Sequence, residues 1–209
     1  MYQVEAHRED RTEVLHQLIG AHPLGLLISG GASLDANAVP FVVDPAAGSL
    51  GTLRAHLARA NPQWRALQED GRCLVVFQGP ESYVTPSWYA SKRAHGKVVP
   101  TWNYVIVEAR GVARVVEDEA WLRTQIDALT VLREAGRAEP WAVGDAPEPF
   151  VGAMLRGIVG LEIPIDAVTG KWKVSQNRPE PDRQGVADGL AAEGAAAMAR
   201  LVARRPGGD

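Results

Sequence analysis

Residues 24–57 read LGLLISGGASLDANAVPFVVDPAAGSLGTLRAHL, and their punctuation decides the fold. Strand formers fill LGLLIS (24–29), NAVPFVVD (37–44) and SLGTLRAHL (49–57), while GGASLD (30–35) and residues 45–48 are short, breaker-rich turns. Turns this short join antiparallel neighbours, because a parallel crossover needs a dozen residues or more. Pro40 lacks the N–H that a central strand donates, so its strand belongs at an edge or a bulge.

Outward from this meander the pattern stays mixed. Residues 10–19 predict a helix, with Asp10 as cap, Glu13 as its capping-box partner and an apolar stripe at Val14, Leu15, Leu18 and Ile19. Asn61 and Pro62 open a second helix carrying Trp64 and Leu67. RCLVVFQ (72–78) predicts a buried strand, and residues 102–118 a long extended run bent at Gly111. Asp118 caps a helix with Leu122, Ile126 and Leu129 at helical spacing, and Phe150 to Ile158 repeats the pattern. Strands at 160–168 and 171–179 and one Ala-rich helix over 181–204 complete the chain, with a frayed end. Strands grouped by short turns, with helices between the groups, predict an antiparallel α+β barrel with surrounding helices. The expected division is a main domain over 1–180 and a C-terminal helix and tail over 181–209.

The totals bound the function. In 209 residues, 46% are hydrophobic and 22% charged, which suits a chain that buries a real core. A net charge of −3 argues against a surface wholly built for nucleic acid, although a local basic patch stays possible. The single cysteine, Cys73, lies in the apolar run CLVVF and reads as a small buried hydrophobe. Residues 1–20 lack an apolar signal-peptide core, and no run approaches membrane-spanning length, so a cytoplasmic protein with no membrane partner is expected. Phosphate-binding glycine loops, paired metal ligands and nucleophile elbows are absent from the sequence.

Three constellations combine residue types that bind. In residues 52–64, Arg54 and His56 share one strand face and Arg59 follows at the strand-to-helix turn. Guanidinium groups near a helix start suit a phosphate, and surface pairing with carboxylates explains them equally well. Residues 77–104, FQGPESYVTPSWYASKRAHGKVVPTWNY, set aromatic side chains beside Lys92, Arg93, His95 and Lys97, as a wall for a flat anionic ligand would. There Thr101 and Asn103 are expected to face a ligand edge, while Trp102 and Tyr104 pack into the core. In residues 170–178, GKWKVSQNR, Trp172 alternates with Lys171 and Lys173 before Ser175, Gln176, Asn177 and Arg178 crowd together.

HPLGLL (22–27), LDANAVPFVVD (34–44), GTLRAHLARANPQW (51–64), residues 75–104, GIVGLEIPI (157–165) and GKWKVSQNR together resemble the PaiB family of FMN-binding negative transcriptional regulators. The resemblance runs over about residues 1–190, in the family's order. It implies a split β-barrel of the FMN-binding type, working as a homodimer with cofactor sites at the subunit interface. By analogy of position, Thr52, Leu53, Arg54, His56, Arg59 and Asn61 would receive the FMN phosphate. Lys97, Thr101, Trp102 and Asn103 would form a second wall, and Trp172, Lys173 and Gln176 would arrive from the partner subunit. Arg54→Ala would then weaken FMN by about 1.5–3 kcal/mol, the worth of charge-assisted bonds. One departure is Arg133, which stands where members of that family tend to carry a histidine before the glutamate.

Two functions compete on this reading, beside the plain alternative of a dimeric barrel whose pocket has lost its cofactor. The family name implies an FMN-binding regulator with DNA as a partner, although no helix-turn-helix is apparent in the sequence. The same fold also hosts FMN oxidoreductases, and the haem-using piperazate synthases resemble PaiB proteins. On the haem alternative, His56 is the first candidate ligand, and no other metal site is expected.

Overall fold

The computed structural model describes residues 1–30 and 34–204. Part of the first turn and the end of the predicted frayed tail lie outside the described residues. The chain divides into two compact units. The larger holds residues 12–77 and 108–168, and the smaller holds 1–11, 78–107 and 169–209.

In the larger unit, α1 (Thr12–Ala21) begins two residues later than expected; Asp10, the expected cap, is ion-paired with Arg8. Strands β2 (Leu24–Ser29) and β3 (Asp35–Pro40) form the first antiparallel pair, in the register Leu24↔Pro40. The predicted 37–44 strand breaks at Phe41, leaving β4 (Val42–Asp44) to pair with β5 (Thr52–Ala58). Pro40 ends β3, an edge strand of the sheet, where its missing N–H costs no ladder bond. Phe41 fills the interior instead, with its ring edge-on to Phe77 at 5.6 Å between centroids. The helix α2 (Gln63–Glu69) is preceded by Asn61, whose Oδ1 accepts from the Gln63 N–H at 3.0 Å.

Three strands supply residues to both units: β6 (Arg72–Val84) and β9 (Ile158–Lys173), both longer than predicted, and β7 (Thr101–Val112), which stops short of the predicted 102–118 run. The strand order is β3-β2-β6-β7-β9-β5-β4, and β2 with β3 and β6, and β5 with β4 and β9, pair antiparallel. The two strands expected at 160–168 and 171–179 are the single β9, which ends before Ser175 turns the chain at φ +63°. The extended run after β7 breaks at Ala113, and β8 (Arg114–Val116) pairs with β9. Gly111 marks a close approach: a Cβ there would sit 2.2 Å from the Pro164 carbonyl oxygen. Helix α4 (Glu119–Glu134) is capped as predicted, Asp118 accepting from the Trp121 N–H at 2.8 Å. It packs on β5 and on α5 (Glu148–Arg156). Arg133 near its end donates to the Gly20 carbonyl at 2.9 Å, tying α4 to α1.

In the smaller unit, β1 (Arg8–Glu9) pairs with β9 at Lys171 and Gly170. Within residues 77–104 lies α3 (Ala90–His95), closed by Gly96 in the left-handed region. The single Ala-rich helix of the sequence reading is two: α6 (Glu180–Ala192) and α7 (Ala196–Ala203). Gly194, at φ +82°, reverses the chain between them, and Val186, Leu190, Met198 and Val202 bury the facing sides. No helix among the described residues is long and apolar enough to cross a membrane.

Candidate functional site

The larger unit holds Thr52, Leu53, Arg54, His56, Arg59 and Asn61. Alternation along β5 turns Leu53, Ala55 and Leu57 into the core and leaves Arg54 and His56 half-buried. Thr52 is buried and donates to the Ala47 carbonyl at 2.8 Å, bracing the turn before its own strand. Arg59 donates to the Arg156 and Ile158 carbonyls at 3.0 and 3.2 Å and pairs with Glu117. Arg54 is 3.1 Å from Asp44 and 3.5 Å from Glu162, on the strands either side of it. Both guanidinium groups therefore already hold carboxylates, and Arg59 also binds the last carbonyl of α5 and the first of β9. Around Arg54 two acids outnumber the one base, so a phosphate would meet a net negative neighbourhood.

Helix α4 covers the Arg54 and His56 face and leaves a cavity on each side. One, of about 140 Å³, is lined by Val42, Arg54, Trp121, Thr124, Gln125 and Ala128. Gln125 is 2% exposed, and neither atom of its amide has a hydrogen-bond partner. The other, of about 280 Å³, has His56 on its wall among Ile126, Leu129, Trp141, Val143, Phe150, Val151 and Met154. The buried Nδ1 of His56 has no partner, and burial holds the imidazole below its ordinary pKa. This is a mainly apolar chamber in which Thr130 and one neutral, two-faced imidazole offer polar groups. It suits part of a planar ring system and is just under the usual size of a whole ligand pocket, about 300–1,000 Å³. No lining side chain is charged at neutral pH, so it is unsuited to a phosphate. Cys73 takes no part in chemistry: burial pushes its thiol up to about 11, and its Sγ donates to the Gly111 carbonyl at 3.6 Å.

The smaller unit holds Lys97, Thr101, Trp102, Asn103, Trp172, Lys173 and Gln176. The expected facing of β7 is reversed. Asn103 lies inward with Val105 and Val107 at 1% exposure, whereas Trp102 is 50% exposed. Burying an amide is tolerable here because Asn103 and Ser175 satisfy each other, at 2.9 and 3.2 Å. Trp102 lies edge-on to Tyr83 at 5.9 Å and donates its indole N–H to Glu81. Thr101 and the Trp102 carbonyl both accept from the Lys173 ammonium. Gln176 folds back on its own turn, accepting from the Val174 N–H and donating to the Trp172 carbonyl. Lys97 and the α3 residues Lys92 and Arg93 are exposed. His7 and Tyr104 are not among the expected site residues, whereas Lys171 belongs to the expected GKWKVSQNR constellation, where its alternation with Lys173 places both ammonium groups on one strand face.

Across residues 1–167 the chain matches the family model described as "Putative FMN-binding domain". The chain belongs to that FMN-binding family. An uncharacterized protein of Emericella nidulans is 37% identical over 98% of this chain and 97% of its own length. Protease synthase and sporulation protein PAI 2 of Bacillus subtilis is 33% identical over 66% of this chain and 64% of its own, in keeping with the PaiB resemblance. Among solved structures, a conserved hypothetical protein of Mycobacterium tuberculosis aligns at a TM-score of 0.61 and 15% identity, over 86% of this chain and 95% of that one. The FAD and heme binding protein of Mycobacterium smegmatis aligns at 0.58 and 19%, over 80% and 73%. At such identities these neighbours establish the fold alone, the antiparallel α+β split barrel read from the sequence.

Proposed function

We propose that this FMN-binding family member takes up FMN itself and works as a cytoplasmic homodimer of the PaiB regulator type. The observation that carries the flavin is the family match over residues 1–167. The His56 chamber fits it in chemistry, with apolar walls for a ring and a neutral imidazole for one heteroatom of its edge. When bound, a flavin would supply redox chemistry or serve as a ligand-responsive switch, while this chain's residues would hold and orient it. The rim residues Trp141, Phe150 and Met154 are large apolar side chains left about half exposed beside one another, and this supports a subunit contact. For DNA, the exposed cations Lys92, Arg93 and Lys97 offer phosphate contacts.

A second reading is haem, and one observation favours it. His56 is half-buried on the wall of an apolar chamber with its buried Nδ1 unpartnered, and a neutral imidazole is the form that ligates iron. His56 would then be the axial ligand. The absorption spectrum of the full-length protein as purified separates the readings. Two flavin bands in the near-ultraviolet and blue support FMN. A Soret band that disappears in His56→Ala transfers the site to haem, and a spectrum without either, unchanged on adding FMN, removes the flavin reading.

A further inference from the structure

The end of β9 in the smaller unit gathers positive charge that none of its own carboxylates neutralises. Lys171 and Lys173 alternate along the strand, and their ammonium groups lie 5.5 and 5.9 Å from the centroid of one ring, that of Tyr104. Lys171 is 8% exposed and donates to the Tyr2 carbonyl at 3.1 Å, while Lys173 donates to Thr101 and to the Trp102 carbonyl. All of these acceptors are neutral, so both charges persist. The nearby acids are engaged elsewhere, Glu9 with Arg11 and Asp10 with Arg8. Neither ammonium has a carboxylate within ion-pair distance among the described residues. His7 adds a third nitrogen group: it is 8% exposed and its Nε2 has no partner.

A buried ammonium beside a half-buried one, with no counter-charge, is costly, and the cost is removed by an anion that bridges them. We propose that Lys171 and Lys173, with the Tyr104 ring beside both and His7 behind them, form a binding site for a phosphomonoester. A phosphate dianion has the charge and the acceptor oxygens to take the N–H bonds that carbonyls leave unused. The direction of the Lys173 pKa agrees: it lies below its ordinary value, first through burial and then, against a contribution from Tyr104 that raises it, through Lys171 and Arg178. His7 is likewise held down by burial and by both lysines. The half-exposed Lys173 is the side from which the anion enters.

The phosphate belongs either to FMN, in which case the site deepens the flavin reading and rests on it, or to a separate phosphorylated ligand. Binding of FMN, riboflavin and inorganic phosphate to the full-length protein, wild type, Lys171→Met and Lys173→Met, distinguishes these sources. Methionine keeps the apolar stem and removes only the charge. If the phosphate is the cofactor's, wild type binds FMN at least tenfold more tightly than riboflavin, and each variant brings FMN down to the riboflavin value. If it is a separate ligand's, the variants lose inorganic phosphate while both flavins bind as before. Should wild type bind no flavin at all, the flavin reading fails and the phosphate arm alone decides this one. The proposal is overturned if folded variants keep wild-type affinity for both FMN and phosphate, or if wild type binds neither. Lys173→Met, at the half-exposed position, decides by itself where Lys171→Met does not fold.

Discussion

Arg54 and His56 are two positions apart on one strand, yet their surroundings give them opposite characters. Arg54 stands between Asp44 and Glu162, at about a third exposure, where each such pair contributes about 0–1 kcal/mol. Arg54→Ala is therefore expected to leave FMN affinity within about threefold of wild type, rather than the loss of about 1.5–3 kcal/mol that a phosphate-binding guanidinium implies. A fluorescence titration of the variant decides between the two. His56 carries a stability signature. Its pKa is lowered by burial, and that of His7 by burial first and then by Lys171 and Lys173. The unfolded chain takes up these protons near pH 6.5, whereas the folded chain resists them to lower pH. This contribution is fully present above about pH 6.5 and is lost as the pH falls toward the folded values. Urea unfolding at a series of pH values should show a decline below about pH 6.5 that is shallower in His56→Gln. An identical slope in that variant would remove His56 as a source.

At the scale of elements, α6 shows what composition conceals. Gly185 and Gly189 lie one turn apart, and a Cβ at Gly185 would sit 2.1 Å from the Trp88 carbonyl oxygen, one at Gly189 2.3 Å from its indole ring. Alanine gains about 1 kcal/mol over glycine in a helix. Overpacking against a ring costs about 1–3 kcal/mol. Gly189→Ala is thus expected to lower the urea midpoint despite its better propensity; a raised midpoint would show that Trp88 has room to move. The sequence announced an Ala-rich helix here, because periodicity registers helical content without showing which small residues are contact surfaces. Likewise it did not separate α6 from α7, since a lone Gly194 inside an alanine run breaks no pattern until its φ is known. Elements with local signals were legible: Asp118 at the start of α4, Pro40 at the end of an edge strand, and the breaker-bounded β2 to β5 meander. The facing of β7 was not, because Asn103 is buried through Ser175, 72 positions away in sequence. Of the site, the residue types were legible and their partners were not. Arg54, Arg59, Asn61, Asn103 and Gln176 all carry out structural tasks that only the fold assigns.

For the whole molecule, α6, the turn at Gly194 and α7 have the connection of a helix-turn-helix. Yet α7 exposes Ala196, Ala197 and Ala203, which carry no donors or acceptors for base edges, so Arg200 is the one exposed side chain of the helix that could reach a base. If the protein binds DNA, the interaction is expected to rest on phosphate contacts. It should then weaken steeply with salt, and Lys92→Ala with Arg93→Ala should reduce the salt slope. Strong operator selectivity in a gel-shift assay, unaffected by that pair, would contradict this. The dimer is checked by light scattering coupled to gel filtration, where twice the chain mass is expected and a monomer would remove the subunit contact. Beneath both lies the claim that the chain binds a flavin. Equilibrium titration of the cofactor-free, full-length protein with FMN, followed by quenching of flavin fluorescence, tests it most directly. Saturable binding of one FMN per chain is the predicted result, and fluorescence that stays that of free FMN throughout the titration would contradict it.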